Sequence, residues 1–297
     1  MRKRIDLFTI VNSFFMLGLV FVMLYPFIYM ISISLSSEVY VLKNQVFFWP
    51  KGFTTRWYEF VLRDSSLLIG YKNTIIYVVA GTLISLVLTS MGAYVLSKRK
   101  MMFRRSIMLA LIFTILFQGG MIPAYLVAKN LGILDTIWAM VLPGAISTFN
   151  VIVMRTFFEG LPEELEDAGR MDGLNDFQLF MRIVVPLSKP VFAAIGLFVA
   201  VSIWNDFYKP TIYLRKADLF PLQVILRNLI IAGSMVGGND AGTLGAAAAA
   251  DRGGGGNVVV ESLKYAAIVF GTLPILVLYP FLQKYFVKGV MIGSVKG

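Results

Sequence analysis

The feature that most constrains this chain is a series of apolar runs, each about 20 residues long, separated by charged stretches. In hydrocarbon there is no water to pair backbone N–H and C=O groups, so runs of this length cross as helices. They cover about residues 7–30 with Pro26 inside, 74–96 after Lys72, and 107–127 with Gly119, Gly120 and Pro123 near the outer end. Further runs cover 136–158 with Pro143 and Asn150, 190–205 with an earlier start near Val184, and 265–283 with Pro274. The expected fold is an all-α integral membrane protein with six transmembrane helices. The expected organisation is an N-terminal helix and first external loop (1–66), a core (67–284) and a tail (285–297).

Composition supports a membrane class. The 297 residues are 58% hydrophobic and 15% charged, whereas soluble domains run near 45–50% and about 25%. Cysteine and histidine are absent. That excludes disulfides, thiolate metal sites and every nucleophile–histidine arrangement. The net charge of +10 suggests nucleic acid only if a basic run lies on a soluble domain, and none does.

The basic residues instead set the orientation. Arg2, Lys3 and Arg4 precede the first run, Lys98, Arg99, Lys100, Arg104 and Arg105 follow the second, and Lys284, Lys288 and Lys296 follow the sixth. The short loop between the third and fourth runs carries only Lys129. The positive-inside rule puts both termini in the cytoplasm. Segments 31–73 and 206–264 then face outside. The first run is too long for a signal peptide and has no small-x-small cleavage site, so it reads as an uncleaved helix.

The outer segment 206–264 holds an expected short amphipathic helix at the membrane surface, residues 221–231. A low-complexity stretch follows, 233–256, with alanines at 246–250 and glycines at 253–256. Such sequence behaves as a flexible tether. It reads either as a tolerated surface insertion or as an adaptable loop reaching an external partner.

Between the fourth and fifth runs lies a charged island, Pro162–Pro190, placed in the cytoplasm by the charge topology. Pro162 opens a helix. Glu163, Glu164, Glu166 and Asp167 crowd its first turns, where negative charge complements the dipole. Ala168 and Gly169 are small, which would let another surface approach the backbone. Gly173 supplies a left-handed stop. Asn175 and Gln178 have capping-box spacing for a second helix, whose expected apolar stripe is Phe177, Phe180, Met181 and Val184. The spacing therefore predicts helix, sharp turn, helix. One reading is a helix in the headgroups, which favours Lys and Arg on the polar face. Glu163, Glu164, Glu166, Asp167, Asp172 and Asp176 stand there against Arg170 alone, so anionic lipid would repel it. Docking into a groove on another protein fits better.

The island resembles the EAA loop of binding-protein-dependent ABC importer permeases: Glu-Ala-Ala, three residues, Gly, nine residues, Ile, a spacer, Leu and Pro. Here it reads Asp167-Ala168-Gly169, Gly173, Ile183, Val184, Val185, Pro186. Asp167 replaces the glutamate and Gly169 the second alanine. The likeness runs from about the second run onward, and the chain is similar to the maltose-type "G" permease class of carbohydrate importers. Trp204-Asn205-Asp206 and Phe220-Pro221-Leu222-Gln223 fit that class. Gly119-Gly120-Met121-Ile122-Pro123 leans to the subgroup importing polysaccharide fragments such as alginate or pectin pieces.

The resemblance implies a bacterial inner-membrane complex of two permeases (the second of the "F" class), two cytoplasmic ATP-binding subunits and an external solute-binding protein. An oligosaccharide is the cargo. Glu163, Glu164, Glu166, Asp167, Ala168, Gly169, Asp172, Gly173 and Phe177 would form the coupling helix seated in an ATPase cleft. Asn228, Gly237, Gly238, Asn239 and Asp240 would lie in the segment that meets the binding protein. The chain has no GxxxxGK[ST] phosphate loop of its own, so ATP and Mg2+ would belong to the partner subunits. Polar residues in or at the ends of apolar runs are candidates for the translocation path: Gln118, Asn150, Asn205 and Asp206. Helix–helix hydrogen bonding is the other reading of Gln118 and Asn150, and an ordinary charge at a helix end that of Asp206. An ion-coupled secondary transporter would need mid-membrane ionisable groups or paired broken repeats, and an embedded enzyme would need a nucleophile–base set. The sequence shows neither.

Overall fold

The computed structural model describes residues 7–117, 119–234 and 262–277, and all regular structure among them is helical. In order the helices are α1 (Leu7–Ser34), α2 (Glu38–Leu42), α3 (Arg56–Arg63), α4 (Ser65–Ser97), α5 (Arg104–Leu116), α6 (Met121–Asn130), α7 (Ile137–Val141) and α8 (Thr148–Glu159). There follow α9 (Glu163–Met171), α10 (Asp176–Leu179), a π-helical turn (Phe180–Val184), α11 (Val185–Leu187), α12 (Lys189–Trp204), α13 (Tyr208–Tyr213), a 3₁₀ turn (Ala217–Leu219) and α14 (Leu222–Ser234). The last described helix is α15 (Ser262–Val277).

The chain divides into two compact units, one of Met1–Leu68 with Ile225–Leu273, the other of Ile69–Val224 with Pro274–Gly297. In the first unit, α1 runs unbroken through Pro26 and is exposed along almost its whole apolar length. Only its last turn is buried, where serines tie down the loop that follows. Ser32 Oγ donates to Phe48 O (2.7 Å), Ser36 Oγ accepts from Lys51 N (3.0 Å), and Trp57 Nε1 donates to Ser36 O (3.3 Å). Ile33, Val41 and Val46 close a small core there with Tyr29 and Tyr265.

The second unit is organised around α4. Its buried positions Tyr77, Gly81, Ser85, Thr89, Ala93 and Ser97 recur every four residues, the spacing that stacks side chains on one helix face. Most of them are small, which lets neighbouring backbones approach. A Cβ on Gly81 would meet Ile203 Cδ1 at 2.6 Å, and one on Gly196 would meet Leu86 Cδ1 at 3.3 Å, so α12 lies close against α4. The opposite face, with Val79, Leu83, Val87, Met91 and Val95, is exposed and apolar.

Three expected spans differ from single straight helices. The third resolves into α5 and α6, bent sharply against each other. The fourth is broken between α7 and α8, where Pro143 lacks a backbone donor and Gly144 takes φ +88°. The fifth is not straight from Val184: Asp176–Leu187 and α12 meet at Ser188 and are bent by 82°. By length and apolarity α1 and α4 each suffice to cross a membrane, and the two bent pairs raise that to four. The second span is longer than expected, beginning at Ser65. The sixth lies within the described residues only as far as Val277.

Candidate functional site

The island folds as its local signals require. Pro162 stands immediately before α9, and Glu163, Glu164 and Glu166 occupy its first turn. Gly173 takes φ +79°. Gly173 N donates to Arg170 O and Leu174 N to Gly169 O, both at 3.0 Å, the paired bonds of a Schellman end. Asn175 Oδ1 then accepts from Gln178 N (2.9 Å) while Gln178 Oε1 accepts from Asn175 N (3.0 Å), a complete capping box. The expected helix, sharp turn, helix is therefore present between Glu163 and Leu187.

Two details of that expectation change. Gly169 is not open to an outside surface. A Cβ there would stand 2.4 Å from Leu179 Cδ2 and 2.8 Å from Ile183 Cδ1, so the small residue lets α9 pack on the second helix of its own hairpin. Ala168 stays exposed. The apolar stripe also splits. Phe180 and Val184 are buried, whereas Phe177 is 63% exposed and Met181 49%. Residues four apart still share a side: Phe180 and Val184 meet the core, and Phe177 and Met181 lie at the outer edge of the stripe.

The acids divide too. Lys98 Nζ is ion-paired with Glu166, and Arg99 Nε lies 3.7 Å from Glu163 Oε1. Arg170 Nη2 meets Asp176 Oδ1 at 2.9 Å. The six acids are therefore not a free face. Among the described residues, Glu164, Asp167 and Asp172 join no ion pair and are exposed. Around them stand exposed Leu165, Met171, Phe177 and Met181. Behind the island, Tyr94, Val151, Met154, Phe158, Phe180, Val184, Val191 and Ile195 share one core, which joins α4, α8 and α12 to the second helix of the hairpin.

At the other expected site, α12 ends with buried Trp204, whose ring meets Tyr71 edge-on (centroids 5.9 Å). Asn205 Nδ2 donates to Val201 O (2.9 Å), within its own helix. Asp206 Oδ1 caps α13 by accepting from Tyr208 N (3.0 Å) and Lys209 N (3.1 Å), and its Oδ2 faces Lys209 Nζ at 3.3 Å. Asn150 is buried in the first turn of α8. It makes no hydrogen bond to Asn205 or Asp206 among the described residues. Asn228 is exposed on α14. Gln118, Gly237, Gly238, Asn239 and Asp240 lie outside the described residues.

Sequence reasoning missed the side chains that fasten residues 213–222. Asn73 Nδ2 donates to Asp218 O (2.7 Å) and Phe220 O (3.2 Å), and Tyr77 Oη to Leu219 O (2.8 Å). Thr74 Oγ1 accepts from Leu222 N (2.9 Å). From the turn after α6, Asp135 Oδ1 accepts from Arg215 N and Lys216 N. Polar residues every three or four along the first turns of an apolar helix were the available signal.

An all-helical apolar chain, with broken spans and a capped charged hairpin between two of them, has the features of an inner-membrane permease. The chain belongs to the family of binding-protein-dependent transport system inner membrane components, matched over residues 91–292. It is 41% identical to Protein LplC of Bacillus subtilis (strain 168) over 98% of this chain and 95% of that one. It is 37% identical to the polygalacturonan/rhamnogalacturonan transport system permease protein YtcP of the same organism, over the full length of both. Among solved structures, a chain from a crystal structure of a bacterial ABC transporter involved in the import of the acidic polysaccharide alginate superposes with a TM-score of 0.87. It is 35% identical, and 96% of this chain and 99% of that chain are covered. The protein is thus a permease component of a sugar ABC import system, and a transport subunit rather than an enzyme.

Proposed function

We propose that this chain is one of two permeases lining an alternating-access path for an acidic oligosaccharide. An external solute-binding protein delivers the cargo, and two cytoplasmic ATPases drive the cycle. The observation that carries the docking half is the island. Glu164, Asp167 and Asp172 join no ion pair among the described residues and stand beside exposed Leu165, Met171 and Phe177 on a hairpin capped at both of its inner ends. A rigid, preorganised hairpin offering apolar anchors rimmed by charge suits a groove on another protein. The chain would cross six times with both termini in the cytoplasm, counting α5 with α6 and α7 with α8 as single bent crossings.

The acidic cargo rests on the relatives. One is named for polygalacturonan and rhamnogalacturonan transport and another for alginate import. Lys72, Lys129, Arg215 and Lys216 are exposed on segments expected outside, where fixed positive charge would raise the local concentration of an anionic ligand. The test is reconstitution of the whole complex with its binding protein, followed by ATP hydrolysis with added sugars. Uronate oligomers should stimulate hydrolysis. Stimulation by neutral glucans alone would overturn the acidic assignment.

A further inference from the structure

The inner ends of four helices meet at a cluster of charge outside the exposed docking surface. The last turn of α4 leaves the Leu96 carbonyl without a partner in its own helix. Two guanidiniums take it: Arg104 Nε from the start of α5 (3.0 Å) and Arg155 Nε from α8 (3.2 Å). Both Arg104 and Arg155 are also ion-paired to Glu159, the last residue of α8, Arg155 at 2.7 Å. One residue beyond α4, Lys98 reaches Glu166 on α9, and its ammonium lies 4.0 Å from the centroid of the Tyr94 ring. That ring in turn packs on Phe180 of the π-helical turn (5.0 Å) and Phe158 of α8 (6.4 Å).

These side chains are sheltered. Lys98, Glu166, Arg104, Glu159 and Arg155 are each 19–29% exposed, against 82% and 79% for the neighbouring Arg99–Glu163 pair. Sheltered charges are weakly screened by solvent, and loss of one partner leaves the other uncompensated. An exposed pair contributes little.

We infer that Lys98 and Glu159 are positioning residues that transmit movement of the docked α9 to the membrane helices. Lys98 ties α9 to the end of α4, and Glu159 clamps the two arginines that tie α4 to α5 and α8. Displacement of α9 then carries the ends of α4, α5 and α8 with it. Without the pair, the hairpin's other links among the described residues are the core that its second helix shares with α4, α8 and α12 and the exposed Arg99 contact of α9. This rests on the proposal that the ATPases dock on the island.

The test uses the full complex reconstituted with its binding protein, carrying Lys98→Met, Lys98→Arg, Glu159→Gln or Arg99→Met. The readout is ATP hydrolysed per sugar moved, beside recovery of the ATPase subunits. Lys98→Met and Glu159→Gln should keep their ATPases and raise the ratio by about 5-fold or more, the lower end of ordinary allosteric coupling. Lys98→Arg should restore the wild-type ratio, and Arg99→Met should not move it. An unchanged ratio in Lys98→Met overturns the inference. So does loss of the ATPases from that variant, because Lys98 would then belong to the docking surface. The docking proposal itself fails on a separate reading, unchanged ATPase recovery from Asp167→Lys, which does not involve Lys98.

Discussion

The island between α8 and α12 and the segment between α12 and α14 are both polar interruptions, and they are held in opposite ways. Residues 213–222 are stitched by their backbone: Asn73, Thr74, Tyr77 and Asp135 bond main-chain groups of that segment, and Leu214 and Leu222 are buried beneath. The island satisfies its backbone internally through its Schellman end and capping box, and meets the neighbouring helices through side-chain charge and one apolar face. A segment bonded through its main chain moves only by breaking hydrogen bonds. A hairpin whose bonds are internal can move as a body, and a coupling element needs that property.

Substitutions can break this comparison, beginning with the largest effect. Gly173→Val places a β-branched residue at φ +79°, where a left-handed conformation costs about 1–2 kcal/mol. The hairpin turn should open, and ATP-dependent uptake should collapse while membrane insertion, followed by immunoblot, is retained. Normal uptake would refute the rigid-hairpin reading. Gly169→Val should destabilise the contact with Leu179 and Ile183 by about 1–3 kcal/mol through overpacking. Gly169→Ala should be far milder, since the atoms it meets are the ends of flexible side chains. Uptake measured side by side gives the ranking, and equal losses would mean that the close approach is unimportant.

On the stitched side, Thr74→Val removes the acceptor for the buried Leu222 N–H, at a cost of about 1–3 kcal/mol. The melting temperature of the detergent-purified complex should drop while the ATP-to-sugar ratio stays constant. A raised ratio would show that this segment also transmits force. Asp167→Lys replaces an exposed acid without touching the fold, so the melting temperature should hold while co-purified ATPase decreases. The smallest effect belongs to Arg99→Met, whose exposed pair is worth about 0–1 kcal/mol and whose melting temperature should stay at that of wild type.

Much of the island was legible because its signals are local. Pro162, the acids after it, Gly173 and the Asn175–Gln178 pair each act within one or two turns, and each does what its residue type requires. The apolar stripe divided because only Phe180 and Val184 meet the core shared with α4, α8 and α12, which leaves Phe177 and Met181 outside it. Gly169 was misread because its neighbours Leu179 and Ile183 come from the next helix. The sequence did not show how the path candidates Asn205 and Asp206 are held: they bond Val201, Tyr208 and Lys209, pairings that depend on where α12 stops.

The sequence by itself determined that this chain is helical and built for hydrocarbon, because twenty apolar residues leave the backbone no other way to pair its own groups. It also determined that a capped hairpin separates the fourth run from the fifth, because caps and stops are short-range. Only the tertiary structure decided which acids remain free and which small residues are for packing. It also decided which polar side chains on α4 hold a segment about 145 residues away in the chain. Those outcomes depend on which surfaces meet, and an ion pair or a close glycine contact is defined by both partners at once.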